Sequence, residues 1–534
     1  MQADGLQTIG YDHGDYNVVT NYVKGNNSYT VFAGANYSHV DGTETWNNEN
    51  YQFTQSLFDR ESYSKNSYRN HQEYMQFRYQ NQKGKRYWVG KFTLVNLSTP
   101  RNASSGFAKE STETDVFSNI RKKSLSPKID LNANLPLSKN QTLILGVHGK
   151  YSANSYHRLY QEQPFETMTD EDEKALSFQL SAIYNYFSQK HSLSMELFHY
   201  HDVWNADYSG NCELWQHLWK GESLAFFSYN FQASRRLSLK TRIGLDWLQY
   251  HLHGDNSFSQ LSPRINTNVQ YQLNKGMLLW SFNFVNSNHG MDVINRAMIQ
   301  VNSHMMEKGM PELKKSHDIN TYLYYMGRFN RLSVSAIGQF RYNHHPVTDD
   351  YYLDEANGKI VKTYSNGGNA QYYSAILALQ YKLCKFANLS GDIRYNHAEV
   401  KTTWSKHNNN LTGNLGLNMF MGDFALKPCL HFGKKSLDEA AWVISKTPID
   451  YGMSGSYSRG NLYVELQAAS PFKKQEKQYW LDLPIYSYSK SIKDQTASQY
   501  ASIKVAYSFD FGRKIQKVEK DVNKNINSSL LRVE

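Results

Sequence analysis

The stretch SPRINTNVQYQLNKGMLLWSFN, Ser262–Asn283, decides how the rest of the chain is read. Pro263, Ile265, Thr267, Val269, Tyr271 and Leu273 share one parity, and Arg264, Asn266, Asn268, Gln270 and Gln272 share the other. A strand sends alternate side chains to opposite faces, so this segment has one greasy face and one wet face. Asn274, Lys275 and Gly276 leave room only for a reversal, after which alternation resumes through Leu278, Trp280, Phe282 and Phe284. The unit is a hairpin with a tight turn.

The same unit recurs along the chain. Leu143, Leu145, Val147 and Tyr151 oppose Gly146, His148, Lys150 and Ser152; Leu237, Leu239, Ile243, Leu245 and Trp247 oppose Ser238, Lys240, Arg242 and Asp246. Near the end, Ile503, Val505, Tyr507, Phe509 and Phe511 oppose Ser502, Lys504, Ser508 and Asp510. Composition agrees with a two-faced wall. Aromatic residues make up 14%, with 40 tyrosines, 26 phenylalanines and 10 tryptophans, yet mean hydropathy is −0.66. No uncharged apolar stretch is long enough for a membrane-spanning helix. A chain this aromatic and this polar suits strands with lipid on one side and water on the other.

Loop lengths separate such a wall from a soluble sandwich. Short reversals fall near 24–27, 82–84, 137–141, 188–190, 235–236, 274–276, 329–330, 384–387, 422 and 459–460. Longer connections interleave with them, near 39–71, 97–126, 153–175, 203–222, 252–260, 286–316, 344–370, 398–409, 432–447 and 470–497. Strict alternation puts tight turns on one rim and long loops on the other, the asymmetry of an outer-membrane barrel with short periplasmic turns and long extracellular loops. Lipid enforces closure, because an unpaired strand edge cannot be hydrated there. The expected fold is therefore an all-β antiparallel transmembrane β-barrel of about 21–22 strands, in the bacterial outer membrane.

The turns and loops separate 21 strands, from about Tyr16–Val23 to about Ser498–Phe511. An even number, with both ends at the periplasmic rim, needs one more strand ahead of Tyr16. The reading is residues 1–15 as a residual N-terminal loop with the first strand missing, 16–511 as barrel, and 512–534 as a polar periplasmic tail. Residues Met1–Gln7 carry neither a basic region nor an apolar run, so no signal peptide is expected there.

Four local patterns support a resemblance: Ser262-Pro263-Arg264 opening a strand, Lys308-Gly309-Met310-Pro311-Glu312-Leu313-Lys314 ahead of the strand expected at Ile319–Met326, Ser365-Asn366-Gly367-Gly368-Asn369 after a long loop, and the ending Tyr507-Ser508-Phe509-Asp510-Phe511-Gly512-Arg513-Lys514. With the strand count, they resemble the barrel of TonB-dependent outer-membrane receptors, particularly the β-barrel family abundant in Bacteroidetes. That resemblance implies nutrient uptake across the outer membrane. Family members usually also carry a plug domain, which gates the pore and contacts TonB, and no plug segment is found among these residues. Contact with TonB is expected only if a plug is supplied. The alternative is a passive pore, or a structural barrel for surface partners.

No catalytic signature is found, neither GxSxG, HExxH nor a phosphate-binding loop, so the chain reads as a non-enzyme. Cys212, Cys384 and Cys429 are scattered and form neither a disulfide framework nor a zinc site. The net charge of +10 is dispersed through turns without a nucleic-acid motif, so nucleic acid is not an expected partner. His199/His201 and His251/His253 are same-face pairs, read as polar wall residues rather than metal ligands. The acidic run Thr169–Lys174 and the group Asp349, Asp350, Asp354 and Glu355 are placed in outer loops as solvated charge, with divalent-ion bridging to lipopolysaccharide the sharper alternative. Trp204, Tyr208, Trp215 and Trp219 crowd one extracellular connection; interface girdle or loop packing is the favoured reading, and stacking on a glycan or other flat ligand is the binding-site expectation. Lys150, Lys240, Arg242, Arg264, Arg341, Arg394 and Lys504 fall on wet parities and bias the interior toward anions, against which Asp246 and Asp392 work. Expected partners are outer-membrane lipid and lipopolysaccharide, an unidentified nutrient and a surface lipoprotein; no cofactor or metal is expected.

Overall fold

The computed structural model describes residues 1–509 except 10, 55, 256, 288, 473–474 and 495–498, together with 522–526 and 528. Twenty-two antiparallel strands close into a barrel. The hairpin of the opening stretch is present: Ser257–Leu273 pairs with Gly276–Ser287 from Ile265 opposite Phe284 down to Leu273 opposite Gly276. The outward parity carries the apolar belt, with Leu145, Val147, Phe178, Leu197, Ile243, Leu245, Ile393 and Val505 all exposed at its surface. In water such a belt would be untenable; in a bilayer it is the solvated face. Tyr22, Tyr29, Trp88, Tyr381 and Phe424 ring the turn-side rim as an interfacial girdle. The protein is thus an integral outer-membrane barrel.

Closure corrects the expected missing strand. Gln2–Ile9 is a strand, paired with Asp12–Lys24 on one side and with Tyr500–Ser508 on the other. It runs from the periplasmic rim, where the Met1 ammonium donates to Phe509 O at 3.0 Å, so both described ends of the wall lie at that rim. Two properties hid it. Its connection to the next strand is very short, which breaks the alternation of loop lengths, and its outward residues Ala3, Gly5 and Gln7 carry little grease. Tyr16 supplies the cover: its ring lies over Gly5, where a Cβ would meet Cδ1 at 3.0 Å. The Tyr16 and Tyr37 hydroxyls both donate to Gln7 Oε1, at 2.7 and 2.9 Å.

Most of the expected long loops are also corrected, to strand. Asn27–Gln52 has 26 residues and Leu57–Lys83 has 27, whereas a tilted transmembrane strand needs about 9–11. The wall therefore continues far above the bilayer. There, both faces are wet, so the two-residue hydrophobic period fades from the sequence although the ladder continues. One arc of the barrel has short strands, such as Phe424–His431 and Leu462–Ala469. Above it, the hairpins Lys434–Asp438/Val443–Thr447 and Gln475–Asp482/Tyr486–Asp494 build an upper storey that pairs with Asn27–Gln52.

Two connections behave differently, 286–316 and 344–370. They contribute the short helix Met291–Ile294 and a separate four-stranded sheet, Met298–Gln300, Met305–Lys308, Lys359–Ser365 and Thr348–Asp354 in that spatial order. Met305–Lys308 and Lys359–Ser365 pair in parallel, which knits the two connections together.

Candidate functional site: the capped mouth

The small sheet folds into the extracellular mouth and forms a cap between opposite arcs of the wall. On one side Met291, Ile294, Ile299 and Leu313 pack with Trp204, Tyr208, Leu218 and Leu252. On the other, Met305, Tyr351 and Ile360 pack with Tyr51, Val400, Trp442, Leu481 and Tyr486. These wall residues are on the inward parity above the membrane, where apolar side chains would otherwise face water. The cap gives them a dry partner. Trp442 is fully buried and its Nε1 donates to Asp349 O at 2.7 Å, tying the upper storey to the cap.

Charged latches secure the same contact. Arg158 donates to the carbonyls of Gln300 and Val301 at 3.0 and 2.6 Å, holding the tip of the first cap hairpin to the wall. Beside it, Arg60 pairs with Glu49 at 2.8 Å and Glu162 at 2.9 Å, all three nearly fully buried. Ser303 donates to Glu162 and Asn302 to the Tyr51 hydroxyl, so the hairpin tip seats on this cluster. His304 Nε2 lies 2.7 Å from Glu110 Oε1. At the root of the cap, Lys315 Nζ reaches Asp246 at 2.9 Å, and Arg264 bonds the same carboxylate and Glu222. Within the cap, Lys362 sits between Asp349 at 3.4 Å and Glu307 at 3.7 Å. Burial pushes the Asp349 carboxyl up to about 6, against the pull of Lys362.

The structure divides the four aromatics for which the sequence favours girdle or loop packing, with ligand stacking as the binding-site alternative. They lie on strands His191–Gly210 and Leu214–Gln232, not in a loop. Trp204 and Tyr208 point inward into the cap core, with Leu218 opposite Trp204 and Leu214 opposite Tyr208. Trp215 and Trp219 take the other face: Trp215 stacks on His217 and meets His253 edge-on, while Trp219 Nε1 donates to His201 at 3.0 Å. Parity forbids all four from touching one ligand.

His199 Nδ1 lies 2.9 Å from Ser223 Oγ and His251 Nδ1 lies 3.2 Å from Ser257 Oγ, so the histidine pairs are engaged by hydroxyls and rings. Among the described residues no group of three or more His, Cys, Asp or Glu side chains converges as a metal site. The acidic run is strand, not loop: Glu171 and Glu173 are buried inward, and Asp170 meets His157 at 2.6 Å. Asp349 is buried in the cap, while Asp350 accepts from Thr403 and Asp354 from the backbone of Ala356 and Asn357. Several wall cations have carboxylate partners: Arg242 with Glu196, Arg341 with Asp318 and Arg394 with Asp392. The expected anion bias is reduced accordingly. Sequence reading missed Arg60, Arg158 and Trp442; an arginine or tryptophan in a polar connection carries no local mark of what it will meet.

No family model matches the chain, and no curated protein matches it in sequence. Solved structures do match in fold. The copper transporter OprC superimposes with a TM-score of 0.66 at 11% identity, over 95% of this chain and 80% of that one. The siderophore receptor PirA from Pseudomonas aeruginosa gives 0.54 at 10% identity, over 95% and 80%. The FrpB iron transporter from Neisseria meningitidis (F5-1 variant) gives 0.59 at 8% identity, over 95% and 82%.

Proposed function

We propose that this chain is the barrel of a TonB-dependent-receptor-like transporter that admits a nutrient across the outer membrane, of the type abundant in Bacteroidetes. The observation that carries the reading is the capped mouth. A 22-stranded barrel encloses a lumen wide enough to need an internal occluding element. Here two long connections are spent on covering its outer opening. A passive channel gains nothing from such a cover, whereas a receptor gains a surface that a ligand can meet and displace. Energised transport would come through a plug that contacts TonB. The fold neighbours named as copper and iron transporters and as a siderophore receptor support uptake as the function class, and the reading assigns no catalysis. Arg264, from the Ser262–Arg264 pattern, shares the Asp246 carboxylate with Lys315, the residue that follows the Lys308–Lys314 pattern.

Single-channel recording of the refolded protein tests the proposal. The expected result is a mostly closed barrel. A large, steady ohmic conductance would instead favour the passive-pore reading. A surface-scaffold role is favoured if the barrel stays closed and cells lacking the protein keep normal uptake of every nutrient tried.

A further inference from the structure

The lumen wall on the turn side carries a patch that is too buried for a wide, water-filled barrel. Phe32, Gln76, Thr93 and Lys128 are in register on four adjacent strands, and each is at most 5% exposed. Their parity is inward, since Val31, Met75, Phe77, Leu94 and Ile129 are exposed on the lipid side. Against this patch lies Val522–Ile526, a segment distant in sequence and beyond the last barrel strand. Val522 is buried, and with Lys524 it shares a cavity lined by Asp4, Asn17, Phe32 and Tyr74. Lys128 Nζ donates to Asn523 O at 2.9 Å and also to Asn525 O. Lys524 Nζ lies 4.3 Å over the Tyr74 ring, and Asn525 N donates to Asn523 Oδ1 at 3.0 Å within the segment.

We infer that Val522–Ile526 is an internal stopper, docked on the Phe32–Tyr74–Lys128 patch so that it narrows the lumen from the periplasmic side. The chemistry of the contact is that of a built seat. Lys128 is held among wall residues with little access to water, and two backbone carbonyls satisfy its ammonium. Tyr74 presents a ring face to a cation, and Phe32 presents apolar surface to Val522. Asp4 and Asp15, on the two strands next to this seat, attract a segment whose central residue is a lysine. The cap covers the outer mouth, so the two devices leave the lumen restricted at both ends.

The test uses a full-length chain in which Cys212, Cys384 and Cys429 are replaced by serine. With Lys128→Cys and Asn525→Cys added, a short bismaleimide should link the two positions. Separately, a thiol probe added from the periplasmic side should label Phe32→Cys about tenfold faster when the chain is shortened to residue 521, the factor expected if docking contributes about 1.4 kcal/mol. Labelling of Lys240→Cys, on another part of the wall, should not change, which shows that the barrel itself is intact. Absence of the cross-link in the folded protein overturns the docking. An unchanged rate at Phe32→Cys overturns the stopper even if the cross-link forms.

Discussion

Lys315 Nζ and Asp246 Oδ2 lie 2.9 Å apart, and neither side chain has any contact with solvent. One residue belongs to the descending root of the cap and the other to the barrel wall, so this ion pair is where the cover is fastened. Arg264 bonds the same carboxylate at 2.5 Å. Asp246→Ala leaves two cations facing each other without their shared anion, and breaking a buried pair in this way costs about 3–5 kcal/mol. Lys315→Met leaves Asp246 paired with Arg264 and should cost less. Urea titration of the refolded barrel, followed by tryptophan fluorescence, should rank the two variants in that order.

Trp442 is the largest side chain with no exposure, and it joins the upper storey to the cap. Trp442→Ala removes a bulky ring from a closed interior, at about 3–5 kcal/mol. The barrel below does not use this residue, so the damage should be local. Limited proteolysis should cut the 344–370 connection faster in the variant, while the membrane-embedded wall keeps its resistance.

Arg158 holds the cap hairpin by two charge-assisted bonds to carbonyls. Arg158→Ala should weaken closure by about 2 kcal/mol, since hydrogen bonds to charged groups contribute about 1.5–3 kcal/mol. Brief openings should become more frequent in planar bilayers. An unaltered closed time would show that the hairpin tip is not part of the gate.

Asp349 gives the cap a pH dependence. Its folded-state carboxyl is raised to about 6 from an ordinary value of 3.8, principally by burial, with Lys362 opposing and Glu307 and Asp438 adding to the rise. A raised pKa means that the folded cap binds more protons than the open one between those values. Stability is therefore gained as pH falls from about 6 toward 4, and lost as pH rises through that window. Protection of Thr348–Asp354 against hydrogen exchange, taken relative to the intrinsic rate at each pH, should be greater at pH 5 than at pH 7, by a free-energy difference on the order of 1 kcal/mol. Asp349→Asn should flatten this dependence.

Deleting residues 1–9 tests closure. The edges of Asp12–Lys24 and Tyr500–Ser508 would lose the strand that each now pairs with. Unpaired backbone groups in hydrocarbon cost several kcal/mol each, so the shortened chain should fail to reach the compact folded band on cold electrophoresis. Wild-type mobility after the deletion would mean that the two edges can join directly.

The legible part of this molecule was the part in lipid. Leu145 and Val147 against Gly146 and His148, or Ile243 and Leu245 against Arg242 and Gly244, announce their faces because one side meets hydrocarbon and the other meets water. Residues 39–71 give no such signal, because above the bilayer both sides of Asn27–Gln52 and Leu57–Lys83 are polar, although their pairing continues. Gln2–Ile9 was hidden by borrowing its apolar cover from Tyr16. The cap was illegible for another reason. Met305 meets Ile360 through a parallel ladder between two connections, and no local spacing encodes which distant loop a short strand will choose. For Trp204 and Tyr208 the sequence showed only that they share a face with Ala206; the pairing of Leu214 with Tyr208 and Leu218 with Trp204 is what puts Trp215 and Trp219 on the other face.

That parallel ladder makes 286–316 and 344–370 a single hatch rather than two flaps. Met305–Glu307 finds its backbone partners in Ile360–Lys362, so removing either segment strips the other of its ladder and the two connections stand or fall together.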